Sequence, residues 1–431
     1  MEITAELTNA DHSMDVDSDP GNPSSRRNWR AQSDQVLRQF DKLLADYDNT
    51  VNPPSHHSRK HRAIDQLDDK VVVLHLFRTK LLPSIKHQLV ALLQSLDLSE
   101  HSTYPCPNPE LTAKVLSKMR GTLRNVIAAV ENLTRRPPLS ELSHDRHLND
   151  FKQFRMDRTQ WKTQRVIYRN LAKLFETCAE WIVSWKLQDD PNDLEFQAHS
   201  VNTRNQIFTL AVDSRISIDE LLEWSKLPDL AILQDEWRGS TQRCNKMLQA
   251  FSEILNGTYV WRQRVNENEQ GNNQEEKTAR QTGAIQLARS IIPIVKLTRL
   301  FYSKLCNTRL PFTLDPEISS GELHSLREKM DLFDGRIGYL LDRLCLSYET
   351  GENIATWRPL LRKFLLDFLV FFDDAFLALA FHIAPLHAVD NYSALHRDFK
   401  TWFLPLQNQF RLATTNLRDT AHLAFEEEDR E

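Results

Sequence analysis

The clearest candidate metal ligands are three aspartates near the middle of the chain. Asp189, Asp190 and Asp193 form a DDxxD pattern, and carboxylate oxygens are the ligands that Mg²⁺ prefers. Such a pattern holds magnesium ions against a diphosphate when a second acidic motif faces it, and the sequence contains no second motif of that kind. We therefore interpret these residues as an acidic loop that ends a helix at Pro191.

Two groups of histidines have spacings that could place their rings together. His57 and His61 lie four residues apart beside His56, and His144 and His147 lie three residues apart. On a helix, either spacing presents imidazoles on one face, as a zinc site requires. Both groups lie in polar segments with no cysteine or third ligand nearby. We interpret them as solvated histidines and predict no metal site.

Motifs for nucleotide binding or hydrolysis are absent from the sequence. The chain has 10 glycines among 431 residues, so phosphate-binding loops and tight turns have few residues to form from. No GxGxxG, Walker, HExxH or GxSxG motif occurs. The pair Gly335 and Gly338 lies inside an apolar heptad, where we interpret it as close helix packing. We predict a non-enzymatic protein without a cofactor.

The cysteines indicate a reducing compartment. Their large separations fit neither a disulfide framework nor paired zinc ligands. The first 19 residues carry six acidic residues and no Lys or Arg, which is the reverse of a signal peptide. We expect an intracellular protein, cytoplasmic or nuclear. The five cysteines are Cys106, Cys178, Cys244, Cys306 and Cys345.

The charge balance argues against a protein held on nucleic acid by overall basicity. The chain has 54 Lys and Arg against 59 Asp and Glu, and its formal net charge is −5, whereas such binding depends on a basic face. Arg59, Lys60 and Arg62 form a short basic cluster that resembles a nuclear-import signal. A solvated linker is the alternative interpretation of this cluster.

Apolar residues recur at intervals of three and four along most of the chain, which predicts an all-α protein. Asn108 can cap a helix that begins at Pro109, and Ser319 with Glu322 forms a capping box. We interpret Ser217 and Glu220 as a second capping box. The predicted helices lie near 30–48, 74–96, 109–133, 148–187, 194–213, 217–227, 229–263, 284–305, 319–344, 354–384 and 391–425.

The sequence predicts antiparallel helices in one or two bundles, and its composition indicates where the chain divides if there are two. Residues 1–28 are polar and predicted to be disordered, and 30–265 forms the N-terminal bundle. Residues 266–276 contain no apolar residue and are predicted to be a linker or an exposed loop. Residues 277–425 form the C-terminal bundle, and 426–431 form an acidic tail.

The most apolar segment runs from Phe364 to Ala384. Its three aspartates exclude a membrane span, because each costs roughly 2.5–3.5 kcal/mol near the bilayer centre. Lys363, Asp367 and Asp374 form one polar stripe on an otherwise apolar helix, which predicts a helix at the centre of a bundle. If some of its rings remain exposed, they offer a docking surface for a protein partner. The candidate contacts are Phe368, Phe371, Phe372 and Phe376.

Several segments resemble a lineage-expanded family of helical proteins encoded by rust-fungus genomes. The likeness covers most of residues 70–350. It implies a helical fold and a fungal source but no activity, because the family has none assigned. A fainter likeness, in helical pattern only, links the chain to the cyclin-D-binding helical bundles of animals. The residues that carry the main resemblance are Leu81-Leu82-Pro83 with the helix that follows, Arg204-Asn205-Gln206-Ile207 through Trp224, Asp229 to Trp237, Ala288 to Phe301 and Leu310-Pro311-Phe312.

These observations favour a helical adaptor or assembly subunit that binds an unknown protein partner. Two alternatives stay open. One is a helical bundle that binds an apolar small molecule, as an enzyme or a carrier, for which Asp189, Asp190 and Asp193 are the first residues to test. The other is a nuclear regulatory protein.

Overall fold

The computed structural model describes residues 23–48, 67–98, 106–135, 142, 144–188, 194–259, 274–307, 310, 312–350, 357–385 and 392–428. Helices account for nearly all of these residues, which confirms the all-α prediction. The helices are α1 (Pro23–Asp48), α2 (Leu67–Leu76), α3 (Leu82–Ser95), α4 (Pro109–Thr134), α5 (Gln153–Arg165), α6 (Ala172–Leu187), α7 (Leu194–Trp224), α8 (Asp229–Leu255), α9 (Gln274–Leu305), α10 (Ser320–Thr350), α11 (Arg358–His382) and α12 (Tyr392–Glu428).

Two pairs of helices are continuous through short π-helical segments. Phe77–Leu81 joins α2 to α3, and Val166–Leu171 joins α5 to α6. The first segment lies next to Pro83, whose ring clashes with the carbonyl four residues earlier in a regular helix. A wider turn relieves this clash. A 3₁₀ helix, Arg146–Phe151, precedes α5.

The contacts divide the chain into two compact units. The first unit consists of Met1–Pro138 and Arg158–Ser225, and the second consists of Leu139–Asp157 and Lys226–Glu431. The predicted linker at 266–276 falls mostly outside the described residues, and α8 and α9, which flank it, pack together in the second unit. An apolar-free segment can therefore connect two helices of one unit as readily as two domains.

In the first unit, α1 packs on α4 and α6, α3 packs on α4 and α7, and α6 packs on α7. The predicted cap of α4 is confirmed, because Asn108 Oδ1 accepts a hydrogen bond from the Leu111 amide at 3.0 Å. The apolar stripe from Leu74 to Leu96 also points inward as predicted, and most of its side chains are buried.

In the second unit, α9 packs on α8, α10 and α12, and α11 packs on α10 and α12. Aromatic rings fill the centre of this unit. The ring of Phe333 lies 4.7 Å from Phe368, and the ring of Phe372 lies 4.3 Å from Phe410. The predicted heptad of α10 is buried throughout. Its members are Leu323, Leu326, Met330, Phe333, Ile337, Leu340 and Leu344.

The second unit also contains two short strands, which the periodicity of the sequence did not predict. β1 (Phe312–Leu314) pairs antiparallel with β2 (Ile383–Pro385). Next to this ribbon, the Asp315 amide donates a hydrogen bond to the His382 carbonyl at 2.8 Å. Strands of three residues are too short to show an alternating pattern.

Several helix boundaries differ from the prediction; α9, for example, begins at Gln274 rather than near residue 284. α1 begins at Pro23 rather than near residue 30, since proline suits the first turn of a helix. The helices predicted at 194–213 and 217–227 form one helix, α7, because no Gly or Pro interrupts 213–217. α8 ends at Leu255 rather than near residue 263. Two residues after Leu255, Gly257 takes a left-handed conformation with φ of 70°, which is typical of a helix end.

Candidate functional site

The aromatic side chains predicted to contact a partner belong largely to the core. Phe368 and Phe372 are fully buried, which corrects the predicted docking surface at these two positions. Phe376 is half-buried, and its ring lies 5.1 Å from Phe399. Phe371 lies in α11, and its side chain is outside the part of the chain that the structure describes.

A different set of apolar side chains is exposed on the same helix. Val370 is 57% exposed, Leu377 is 54% exposed and Phe381 is 75% exposed. Their spacings of seven and four residues place all three on one face of α11, and the exposed Asp374 lies between them on that face. α11 therefore carries an apolar row with one carboxylate in its middle.

The predicted polar stripe of α11 marks this exposed face. Lys363 and Asp374 are exposed, and Asp367 is partly exposed. At 100° per residue these three positions point in the same direction as Val370 and Phe381. We predicted that α11 lies at the centre of a bundle, and the structure corrects this, because the helix is not enclosed on all sides. One face meets solvent, and the opposite face carries the buried rings.

α10 borders one side of this face. Arg336 Nη2 lies 3.8 Å from Asp367 Oδ2, and the ring of Phe333 stacks on Phe368. Leu332 lies one turn before Arg336 on α10 and is 38% exposed. Because residues one turn apart share a helix edge, Leu332 lies along the α11 edge of α10.

α12 borders the other side. Gln407 Nε2 donates a hydrogen bond to Asp373 Oδ1, and Arg411 Nη2 lies 3.2 Å from Asp373 Oδ2. α12 runs antiparallel to α11, since Phe372 meets Phe410 and Phe376 meets Phe403. Leu404 lies one turn before Gln407, on the edge of α12 that is level with Leu377, and it is exposed.

These residues make up one surface, which we call the α11 outer surface: Val370, Asp374, Leu377 and Phe381, flanked by Leu332 and Leu404. Its central row has three large apolar side chains around one carboxylate, and Leu332 and Leu404 add one apolar side chain on each side. Apolar side chains grouped on one exposed face favour contact with another molecule.

Most of the other predicted site residues lie outside the part of the chain that the structure describes. Asp189, Asp190 and Asp193 lie outside the described residues, as do Arg59, Lys60 and Arg62 and the histidines at 56, 57 and 61. His144 and His147 are exposed. Among the described residues, no group of three His, Cys, Asp or Glu side chains is arranged to hold a metal ion. None of the five cysteines forms a disulfide.

The sequence analysis missed a buried ionic cluster in the second unit. Lys152 is 1% exposed, and its Nζ lies 2.8 Å from Asp229 Oδ2 and 2.7 Å from the Pro316 carbonyl. Arg155 Nη1 lies 3.1 Å from Asp229 Oδ1. Asp229 is the first residue of α8, where a negative charge is favourable. The cluster fixes residues 152–155 to the start of α8, and its cations and anion satisfy one another.

Within the described residues, no helix combines the length and the apolar character that crossing a bilayer requires. This finding includes α11, in which Asp367 pairs with Arg336 of α10 and Asp373 accepts a hydrogen bond from Gln407 of α12.

Two protein-family models match the chain, and the boundary between the two matches lies close to the boundary between its two compact units. Residues 70–226 match the family described as Domain of unknown function (DUF8723), and residues 228–419 match Domain of unknown function (DUF8721). The two units also change over at Ser225 and Lys226. Residues 142–157 are an exception, because they lie in the first matched region but pack in the second unit. No curated protein and no solved structure matches the chain.

Proposed function

We propose that this protein is a non-enzymatic helical adaptor that binds a protein partner through the α11 outer surface. The observation that carries the proposal is the row of Val370, Leu377 and Phe381, which are each more than half exposed on one helix face. Large apolar side chains that are grouped on a face lose contact with water when a partner covers them, and this burial favours association.

The packing of the second unit explains why Val370, Leu377 and Phe381 face solvent rather than the core. The opposite face of α11 already carries the rings of Phe368 and Phe372, which contact α10 and α12. Rotating the helix would expose those rings. The exposed row is therefore a consequence of a helix that is apolar on both faces, and an interface is the usual use of such a second face.

Site-specific photocrosslinking in the native cell tests this function. A photoreactive phenylalanine analogue replaces Phe381 in the full-length protein, and a matched control places it at Leu187, which is 73% exposed on α6. We expect a discrete crosslinked protein from position 381 that position 187 does not capture. Adding Leu377→Lys is expected to lower the crosslink yield about tenfold or more, as for a residue central to an interface.

Two outcomes contradict the proposal. The first is that positions 381 and 187 capture the same proteins in the same amounts. The second is that Leu377→Lys leaves the crosslink at position 381 unchanged. Because Leu377 is exposed, the thermal unfolding of Leu377→Lys should match that of the wild-type protein, which separates loss of binding from loss of fold.

A further inference from the structure

We propose that the partner segment bound at the α11 outer surface is an amphipathic helix with a Lys or Arg in the middle of its apolar row. This inference rests on the proposed function and specifies the chemistry of the partner. It follows from two properties of the surface, namely its length and its charge.

The length of the surface matches a short helix. Val370 and Phe381 are eleven residues apart, which corresponds to about 16 Å along the helix axis. Leu332 on α10 and Leu404 on α12 extend the apolar area on both sides of α11. A partner helix of three to four turns can lay apolar residues spaced by three and four along this row, as in helix-in-groove recognition.

The charge of the surface identifies the residue that must accompany those apolar side chains. Asp367 and Asp373 are already neutralised by Arg336 and Arg411. Asp374 is exposed between Val370 and Leu377 and forms no ion pair with the described residues. A partner that covers it must supply a positive charge, because an uncompensated buried carboxylate opposes binding.

The same charge disfavours a lipid surface as the occupant. Helices that lie on anionic membranes carry several Lys or Arg on the polar border of their apolar face. On the exposed face of α11, Lys363 is about five turns from Phe381, and Asp374 lies between them. A carboxylate at the centre of the row would be repelled by anionic headgroups, whereas a basic side chain of a helix would pair with it.

The test uses two fluorescent 18-residue helical peptides and the full-length protein. The peptides share leucines at spacings of three and four and differ only in one central residue, which is Lys in one and Glu in the other. We expect the Lys peptide to bind about threefold tighter in fluorescence anisotropy, the size of one exposed ion pair. Asp374→Lys should reverse this order, and Phe381→Ser should weaken both peptides.

Each remaining outcome overturns a defined part of the inference. Equal binding of both peptides overturns the charge requirement. If neither peptide binds and the crosslink from position 381 still depends on Leu377, the partner is not a helix of this kind, although the docking function stands. Binding to phosphatidylserine vesicles that Phe381→Ser abolishes assigns the surface to a membrane. Loss of the crosslink dependence itself would count against the proposed function instead.

Discussion

Asp145 caps the first residue of α10, Ser320, across 175 positions of the chain. Its Oδ1 accepts a hydrogen bond from the Ser320 amide at 2.8 Å, and its Oδ2 accepts one from the Ser320 hydroxyl. Oδ2 also accepts the amide of Gln153, the first residue of α5, at 2.9 Å. One buried carboxylate therefore satisfies buried amides at two helix N-termini, where a negative charge is most favourable.

The Ser320 hydroxyl completes this arrangement. Its oxygen accepts a hydrogen bond from the Phe154 amide at 2.8 Å. Two side chains thus satisfy three buried amides, and the side chain of Phe154 is itself fully buried. Residues 142–157 are integrated into the second unit by these bonds and by the Lys152 cluster.

We predict that Asp145→Ala destabilises the protein by about 3 kcal/mol or more, because three buried donors lose their acceptor at about 1–3 kcal/mol each. Asp145→Asn keeps one acceptor oxygen and should cost less. Urea unfolding followed by circular dichroism measures both variants. Asp398→Ala, at an exposed position of α12, is the control, and a loss in Asp145→Ala no larger than in this control would contradict the prediction.

The Lys152 cluster allows a sharper test of buried charge. Asp229→Asn leaves Lys152 and Arg155 without their shared anion, and we expect a loss of about 3–5 kcal/mol. Adding Lys152→Met to Asp229→Asn removes one of the stranded cations. The double variant should therefore be more stable than the sum of the two single losses predicts, in the same urea assay. If the two single losses of unfolding free energy simply add in the double variant, the Lys152–Asp229 ion pair contributes nothing to stability through its charges.

The helices of this protein were largely predictable, because burial on one face imposes a spacing that the sequence displays. The stripe of α10 and the cap at Asn108 are local patterns, and both are confirmed. The capping box at Ser319 is confirmed as well, since Glu322 Oε2 accepts the Ser319 amide at 2.7 Å. The prediction of a second capping box at Ser217 and Glu220 was wrong, because α7 continues through these residues. The Ser217 hydroxyl accepts a hydrogen bond from the Asn170 side chain instead.

The sequence pattern indicates α11 as the helix with a second apolar face, but the side chains that are exposed on it differ from the predicted ones. The polar stripe of α11 indicates how the helix is rotated, but it does not show that the apolar side chains beside it, such as Val370 and Phe381, are exposed. The contacts of Phe368 with α10 and of Phe372 with α12 set that rotation. Asp145 and Ser320 were unpredictable for a related reason, because nothing local indicates a bond between distant residues.

Acid should weaken the first unit through Asp46. Hydrogen bonds from Arg120, together with the positive charges of Arg120 and Arg124, hold the pKa of this carboxyl below its usual value despite partial burial. Arg120 Nε lies 2.7 Å from Asp46 Oδ2. A folded-state pKa that is depressed gives stability above the unfolded pKa, about 3.9, and that stability is lost as pH falls through the folded pKa.

We therefore expect Asp46→Asn to be less stable than the wild-type protein at pH 7, by about 0.5–1 kcal/mol after allowance for solvent screening. The difference should shrink as the pH falls below about 4, because the carboxyl becomes protonated first in the unfolded state and then, at lower pH, in the folded state. Thermal unfolding at a series of pH values measures it. Asp41→Asn, at an exposed position of the same helix, is the matched control. A difference that stays constant down to pH 2 would refute the assignment.

Replacing glycines should change stability in opposite directions at two positions. Gly335 lies in the interior of α10, and a Cβ built there meets no atom within 4 Å, so the predicted close packing does not apply to it. We expect Gly335→Ala to stabilise the protein by about 0.5–1 kcal/mol. Gly257 has φ of 70°, and Gly257→Ala should destabilise it by about 1–2 kcal/mol.

Gly338 provides the intermediate case in the same experiment. A Cβ there would lie 3.4 Å from Met247 Cε, which is the close packing predicted for this position. The Met247 side chain can move by a few tenths of an ångström, because methionine is flexible. We therefore expect Gly338→Ala to fall between the other two variants in urea unfolding with an unchanged slope. Equal effects of Gly335→Ala and Gly257→Ala would contradict the conformational argument for both positions.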